Sequence, residues 1–330
     1  MSSTPEPVPP ASAPDPGPAR AASPTISTLL AISTHLMWGF FPLYFALLTP
    51  AGALEVIVHR AVWGLACCLL ALALTRRLPH LRAALRDRAL AGRLSLAGFL
   101  VVINWTVYVH AIQSGHTVDA ALGYFINPLF TVALALVVRR ERISWWQKVA
   151  LALGVVAVVV LVVGLGRLPW VALALAGAFG LYSLVKKGVA TRVGPIEGMA
   201  IETGAVTPVL LAYFAYLVAT DSTSFQTLTS GAPGPSWPAH LALLIGAGAL
   251  TVFVLAIFAK AAQGLPLGML GFIQYISPTM QLLIGVLVFR EHMEPVRWIA
   301  TGIVWLALGC LSIDGLIAIG RAQRLRARAA

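Results

Sequence analysis

Leu122-Gly-Tyr-Phe-Ile-Asn-Pro128 runs on through an apolar stretch to Arg139-Arg-Glu141, and Gly271-Phe-Ile-Gln-Tyr-Ile-Ser-Pro278 runs on through another to Phe289-Arg-Glu291. The spacing from proline to glutamate is the same in both, and at the same offset of 150 residues Ala111 and Gln113 meet Ala261 and Gln263. A match over roughly forty residues without an insertion marks a duplicated unit. Duplication inside an almost wholly apolar chain points to the architecture of a two-halved membrane transporter.

Composition sets the class. Of the 330 residues, 59% are hydrophobic and 11% charged, too little charge to cover a soluble domain of this length. The mean hydropathy of +0.86 agrees. The chain is therefore expected to be an all-α polytopic membrane protein. Its 23 basic against 12 acidic residues suit loops beside anionic headgroups of a lipid bilayer, and no nucleic-acid-binding signature accompanies them. Cys67, Cys68 and Cys310 lie in apolar runs without metal-ligand spacing and read as small core residues, so no metal, cofactor or disulfide framework is expected. Residues 1–24, rich in Pro, Ala and Ser, read as a disordered tail, and a cleaved signal peptide is not expected.

Apolar windows separated by charge, Gly and Pro predict ten spans near 25–48, 52–75, 90–113, 117–138, 144–165, 168–187, 195–219, 237–260, 265–289 and 296–319. With a cytoplasmic N-terminus, nineteen basic residues fall in inside segments, whereas Arg167, Arg290 and Arg297 fall outside and Arg60 lies within the second span. That bias predicts cytoplasmic termini. Five spans in each unit, 25–165 and 166–320, force the second copy to enter from the opposite side, so the repeats are expected to be inverted, with 321–330 a basic cytoplasmic tail. The longest external loop, 220–236, shows no sign of chemistry.

His116-Thr-Val-Asp-Ala-Ala-Leu-Gly-Tyr-Phe-Ile-Asn-Pro128, Glu55-x-x-x-His59-Arg60-x-x-Trp63, Asn104-Trp105-x-x-Tyr108, Ile201-Glu202-Thr203 and the Gly271 to Pro278 stretch resemble the RarD branch of the EamA, or drug/metabolite transporter, superfamily. The resemblance covers about 25–320. It implies a ten-helix inverted-repeat carrier of the bacterial inner membrane, of a group tagged as chloramphenicol-sensitivity or permease proteins. Asp119 stands where the family pattern has Glu, and Ser277 where it has Gly.

Charges inside spans cost about 2.5–3.5 kcal/mol each on insertion scales, so the few present need partners or a wet cavity. Aligning Glu55 with Glu197 at an offset of 142 sets Arg60 opposite Glu202. This pair is expected to face a shared central cavity, with a plain ion pair between the second and seventh spans as the alternative. Pro128 and Pro278 free the carbonyls of Tyr124 and Gln274, beside Asn127 and Tyr275, which can line an amphipathic pocket or mark simple kinks. Pro42, which follows His35 and Trp38 on one face, is a third candidate kink. Asn104 and Tyr108 share a helix face and suit either a pocket wall or interhelical hydrogen bonds. His59 can carry a proton or bond the glutamate one turn earlier. Glu141, Glu291 and Asp119 read as structural acids at helix ends, Ser144-x-x-Gln147 as a capping box, and Glu294-Pro295 as a helix start. Gly194-x-x-x-Gly198, Gly264-x-x-x-Gly268 and Ala172-x-x-x-Ala176-x-x-x-Gly180 mark close helix approach.

HExxH, Gly-x-Ser-x-Gly and P-loop patterns are all missing, which leaves no catalytic residues and no built-in ATPase to propose. A channel or a non-transporting scaffold is the rival to a carrier. The reading is a secondary carrier for a small-molecule substrate, in which Arg60 holds an anionic group and Glu202 balances it or binds a proton as coupling ion. Export is implied by the resemblance alone; the residues fix neither the coupling ion nor the oligomeric state.

Overall fold

The computed structural model describes residues 24–138, 140, 143–189, 191–265 and 267–329. Of the expected tail over 1–24, residues 1–23 lie outside these residues and Pro24 opens the first helix; Arg139, Glu141 and Arg142 also lie outside. The described residues form α1 (Pro24–Ala46), α2 (Ala53–Leu74), α3 (Leu78–Arg86), α4 (Arg88–Gln113), α5 (Thr117–Val137), α6 (Trp145–Leu165) and α7 (Trp170–Lys187). The chain continues through α8 (Pro195–Ala219), α9 (Ser224–Thr229), α10 (Trp237–Gln263), α11 (Leu267–Ile273), α12 (Ile276–Leu283) and α13 (Pro295–Ala329). Among the described residues ten segments are long and apolar enough to cross a bilayer, nine of them within a few residues of their expected spans, while the seventh, Pro195–Thr229, runs on past 219 through α9. Among the described residues there is no strand.

Short links make successive spans run in alternate directions. The end at which α1 begins is called the near end below, and the opposite one the far end. Two short helices, α3 at the near end and α9 at the far end, stand where only loops were expected. α3 buries Leu81 and Ala84 and exposes Arg82, Leu85 and Arg86.

Packing depends on small residues at the crossings, because lipid chains supply no hydrophobic drive for helices to associate. A Cβ at Gly98 on α4 would collide with the carbonyl of Glu202 on α8, and one at Gly248 on α10 would lie 2.5 Å from the amide of Gly64 on α2. A Cβ at Gly123 would come within 2.9 Å of the Ala172 carbonyl, and one at Gly180 within 2.6 Å of the Phe130 ring, so the Ala172 to Gly180 stripe does bring α7 against α5. Leu70, Leu74 and Val163 point outward, where lipid is their partner.

The symmetric prolines act differently. α5 runs through Pro128 unbroken, whereas the ninth span breaks at Gln274 and Tyr275, where Pro278 cannot satisfy the Gln274 carbonyl. Residues Ile284–Val288 then form a wide π turn, in which the Phe289 N–H donates to the Ile284 carbonyl at 2.9 Å. This turn, with Gly285 close against Val118, presents Glu291 to the start of α5. Its carboxylate accepts from the Thr117 and Val118 N–H groups at 2.7 and 2.9 Å. Glu291 is thus a structural acid, but one that caps a helix of the other half rather than its own. Asp119 meets Arg297 at 3.5 Å, and Ser144 with Gln147 forms the expected capping box.

Candidate functional site

Arg60 lies two turns into α2 and is 4% exposed. Its Nε donates to Thr251 Oγ1 of α10 at 3.0 Å. The guanidinium carbon sits 3.8 Å from the Trp105 ring centroid and 5.4 Å from that of Phe45, with Phe41 at 5.9 Å. Tyr108 packs edge-on against Phe45 and Tyr124 and so joins the same aromatic cluster. Among the described residues no carboxylate pairs with this cation. Its surroundings are π faces and phenols, which stabilise a cation only partly.

The wall beside Arg60 comes from α4, α5 and α7. Asn104 is 1% exposed; its amide donates to the Leu175 carbonyl at 3.1 Å and its oxygen accepts from the Tyr124 hydroxyl at 3.2 Å. The Tyr108 ring stacks edge-on to Tyr124 and Phe45, and its buried hydroxyl has no hydrogen-bond partner. A buried cation without a carboxylate partner and a partnerless phenol hydroxyl thus belong to one aromatic cluster, two donors of the kind that can serve an anion.

Glu202 lies as deep from the near end as Arg60 lies from the far end, two turns into α8. Its carboxylate pairs with Lys186 of α7 and accepts from the Tyr182 hydroxyl at 3.3 Å. The charge that neutralises Glu202 is therefore Lys186, not Arg60. Aromatic rings join the two regions: Tyr124 contacts Phe179 at 6.4 Å, and Phe179 contacts Tyr182 at 5.6 Å. Phe179, Tyr182 and Lys186 share one face of α7.

The remaining candidates are dispersed. His59 Nδ1 accepts from Trp63 Nε1 at 3.3 Å, its ring is flanked by Phe214 and Phe225, and Nε2 lacks a partner. Trp38 packs on His35 and Phe258, at a seam where His35 Nδ1 meets Ser277 Oγ at 2.9 Å and Gln281 donates to the Trp38 carbonyl at 3.2 Å. Asn127 is half-buried with a partnerless Oδ1, Tyr275 is half-buried, and Gln274 is exposed. Pro42 lies inside an unbroken α1.

The far-end loop is held by a buried hydrogen-bond network. Glu55 accepts from the Ser224 N–H at 3.0 Å and from its hydroxyl at 2.8 Å. With that proton committed, Ser224 Oγ is left to accept from Nε2 of His240, 2.9 Å away. Sequence reasoning also missed Trp105, Thr251, Tyr182 and Lys186. Lys186 looks like a span-end lysine, and the others reach their partners only through the fold.

Ten apolar helices and a charged, aromatic-lined interior define a multi-pass membrane protein of the transporter class. The model of the EamA-like transporter family matches residues 25–163. A protein RarD of Streptomyces exfoliatus is 39% identical over 91% of each chain. A protein of Pseudomonas aeruginosa named as an uncharacterized transporter is 36% identical over 87% of this chain and 93% of its own. A crystal structure superposes with a TM-score of 0.55 at 17% identity, covering 89% of this chain and 99% of the other, a likeness of fold. The chain belongs to the RarD branch of the EamA-like transporter family, and it is a bacterial membrane protein.

Proposed function

We propose that this protein is a secondary carrier that exports a small amphipathic or zwitterionic metabolite or drug, with Arg60 binding its anionic group. The observation that carries this reading is a guanidinium deep in a span with no carboxylate partner among the described residues. Such a charge is costly to insert, and a substrate carboxylate would supply both the missing charge and bidentate acceptors. Trp105, Phe45, Tyr108 and Tyr124 would hold the apolar body, while Asn104 fixes the Tyr124 ring. A non-transporting scaffold gives the cation no purpose.

Residues 25–165 and 166–320 act as inverted halves in this account. The caps of α2 and α8 support it: Gly52 and Gly194, 142 residues apart, have φ, ψ of −65°, 159° and −67°, 159°, each three residues before a glutamate. The near end is cytoplasmic on the basic-residue bias. Glu202, held by Lys186 and Tyr182, serves as the proton-binding acid for coupling. Counterflow in proteoliposomes tests the carrier: preloaded amphipathic carboxylate should accelerate uptake of the labelled compound, and a rate independent of preloading would refute it.

A further inference from the structure

A cavity of about 390 Å3 opens at the near end between α3, α4 and the start of α8. Arg77, His80 and Arg192 line it with Asp87 and Glu197. Asp87 is fully engaged, by the Leu90 N–H at 3.0 Å and Arg192 at 2.5 Å. Glu197 is not. It is 3% exposed, its Oε2 has no donor, and its Oε1 lies 3.7 Å from Arg77 Nη1, beyond hydrogen-bond length. Gly194 shapes this arrangement, since a Cβ there would collide with Oε2.

Glu55 shows what such a carboxylate requires. It opens α2 as Glu197 opens α8, three residues after a glycine cap of the same conformation, and it receives an N–H and an O–H from Ser224. At Glu197 those donors are missing and a cavity adjoins it. A buried carboxylate with one oxygen short of donors, beside a space lined by Arg77, His80 and the Asp87–Arg192 pair, matches a ligand with an ammonium at one end and an anion at the other.

We propose that this cavity is a loading site for a zwitterion, with Glu197 receiving a primary ammonium and Arg77 and His80 the anionic end. The proposal rests on the carrier reading and gives it a first contact on the near side. From there Gly198, the residue after Glu197, leads to the Lys186–Glu202 pair: a Cβ at Gly198 would lie 3.2 Å from Lys186 Nζ. The same ammonium chemistry exists on a phosphatidylethanolamine headgroup, because the cavity sits at the expected membrane surface.

The test is a thermal-shift titration in phosphatidylcholine nanodiscs with phenethylamine, phenylalanine and N-acetylphenylalanine as probes, since a ligand that binds only the folded state raises its melting point. Phenethylamine and phenylalanine should stabilise the protein. Glu197→Gln should weaken the phenethylamine response about ten-fold or more, the loss of one charge-assisted contact, while sparing N-acetylphenylalanine. Phenethylamine that shifts neither protein, or both equally, overturns the site. If Glu197→Gln does not fold, Gly194→Ala, whose Cβ pushes the carboxylate aside, must weaken the same response, and no weakening overturns the proposal. A stabilisation by added phosphatidylethanolamine that Glu197→Gln abolishes supports the ammonium site and assigns it to lipid. The carrier reading fails separately, through a counterflow rate that does not depend on preloading.

Discussion

The guanidinium carbon of Arg60 sits over the Trp105 ring, 3.8 Å from its centroid, and no carboxylate among the described residues reaches it. Cation–π contact offsets part of the desolvation, by about 0.5–2 kcal/mol, against an insertion cost of about 2.5–3.5 kcal/mol for a mid-span arginine. The hydrogen bond to Thr251 offsets about the rest, so the residue adds little net stability to the fold, which suits a group kept for a ligand.

Replacement by an apolar side chain of similar length should therefore separate stability from function. Arg60→Met should leave the melting point in detergent unchanged or raise it, by about 1–3 kcal/mol of stability, while abolishing transport. A strong destabilisation would show that Arg60 holds the helices together.

Glu55 and Ser224 close the far end through two charge-assisted bonds. Glu55→Gln should cost about 1.5–3 kcal/mol, and Ser224→Ala should cost less once Glu55 is already Gln. Chemical denaturation of the two single variants and the double variant gives the coupling energy; additivity would mean that the contacts act independently.

Glu291 fastens the π turn to the start of α5 by two backbone N–H groups. Glu291→Ala leaves both donors exposed to a helix dipole with no anion and should destabilise by about 1–2 kcal/mol. Hydrogen exchange should quicken at Thr117 and Val118 before it does elsewhere in α5.

Asp87, outside the spans, has its carboxyl held below the usual carboxylate range, first by the Leu90 N–H and then by Arg192. In acid the unfolded chain binds this proton before the folded one does, so stability rises with pH in that window. The contribution is present above the ordinary aspartate value of about 3.9 and disappears as pH falls through the lowered one. Asp87→Asn should flatten this part of the acid melting profile.

Glu202→Gln keeps the Tyr182 contact but removes the titrating acid. Substrate–substrate exchange should survive while accumulation driven by a pH gradient is lost. Preserved gradient-driven accumulation would remove Glu202 from coupling.

The ten spans were legible because bilayer thickness imposes length and apolarity on each helix independently of its neighbours. Arg60, Asn104, Tyr108 and Tyr124 were legible as polar groups at membrane depth, and the Asn104–Tyr108 face follows from helical periodicity. Partners were not. Glu55 meets Ser224 across 169 residues, and Lys186 reaches Glu202 because α7 and α8 both pack on α4, which a span-end lysine does not announce. Repeat alignment set Arg60 opposite Glu202, but α2 starts at the far end and α8 at the near end, so the two residues lie at different depths and each found other partners. The break at Pro278 and the unbroken helix at Pro128 show that one residue type sets a possibility which local packing then decides.

The most direct test of the central claim is a thermal-shift screen of the purified protein against amino acids, nucleosides, amphenicols and polyamines, run beside Arg60→Ala. The account predicts stabilisation by compounds bearing an anionic group on an apolar or aromatic body, abolished by Arg60→Ala. Stabilisation by polyamines alone, undiminished in the variant, would contradict it.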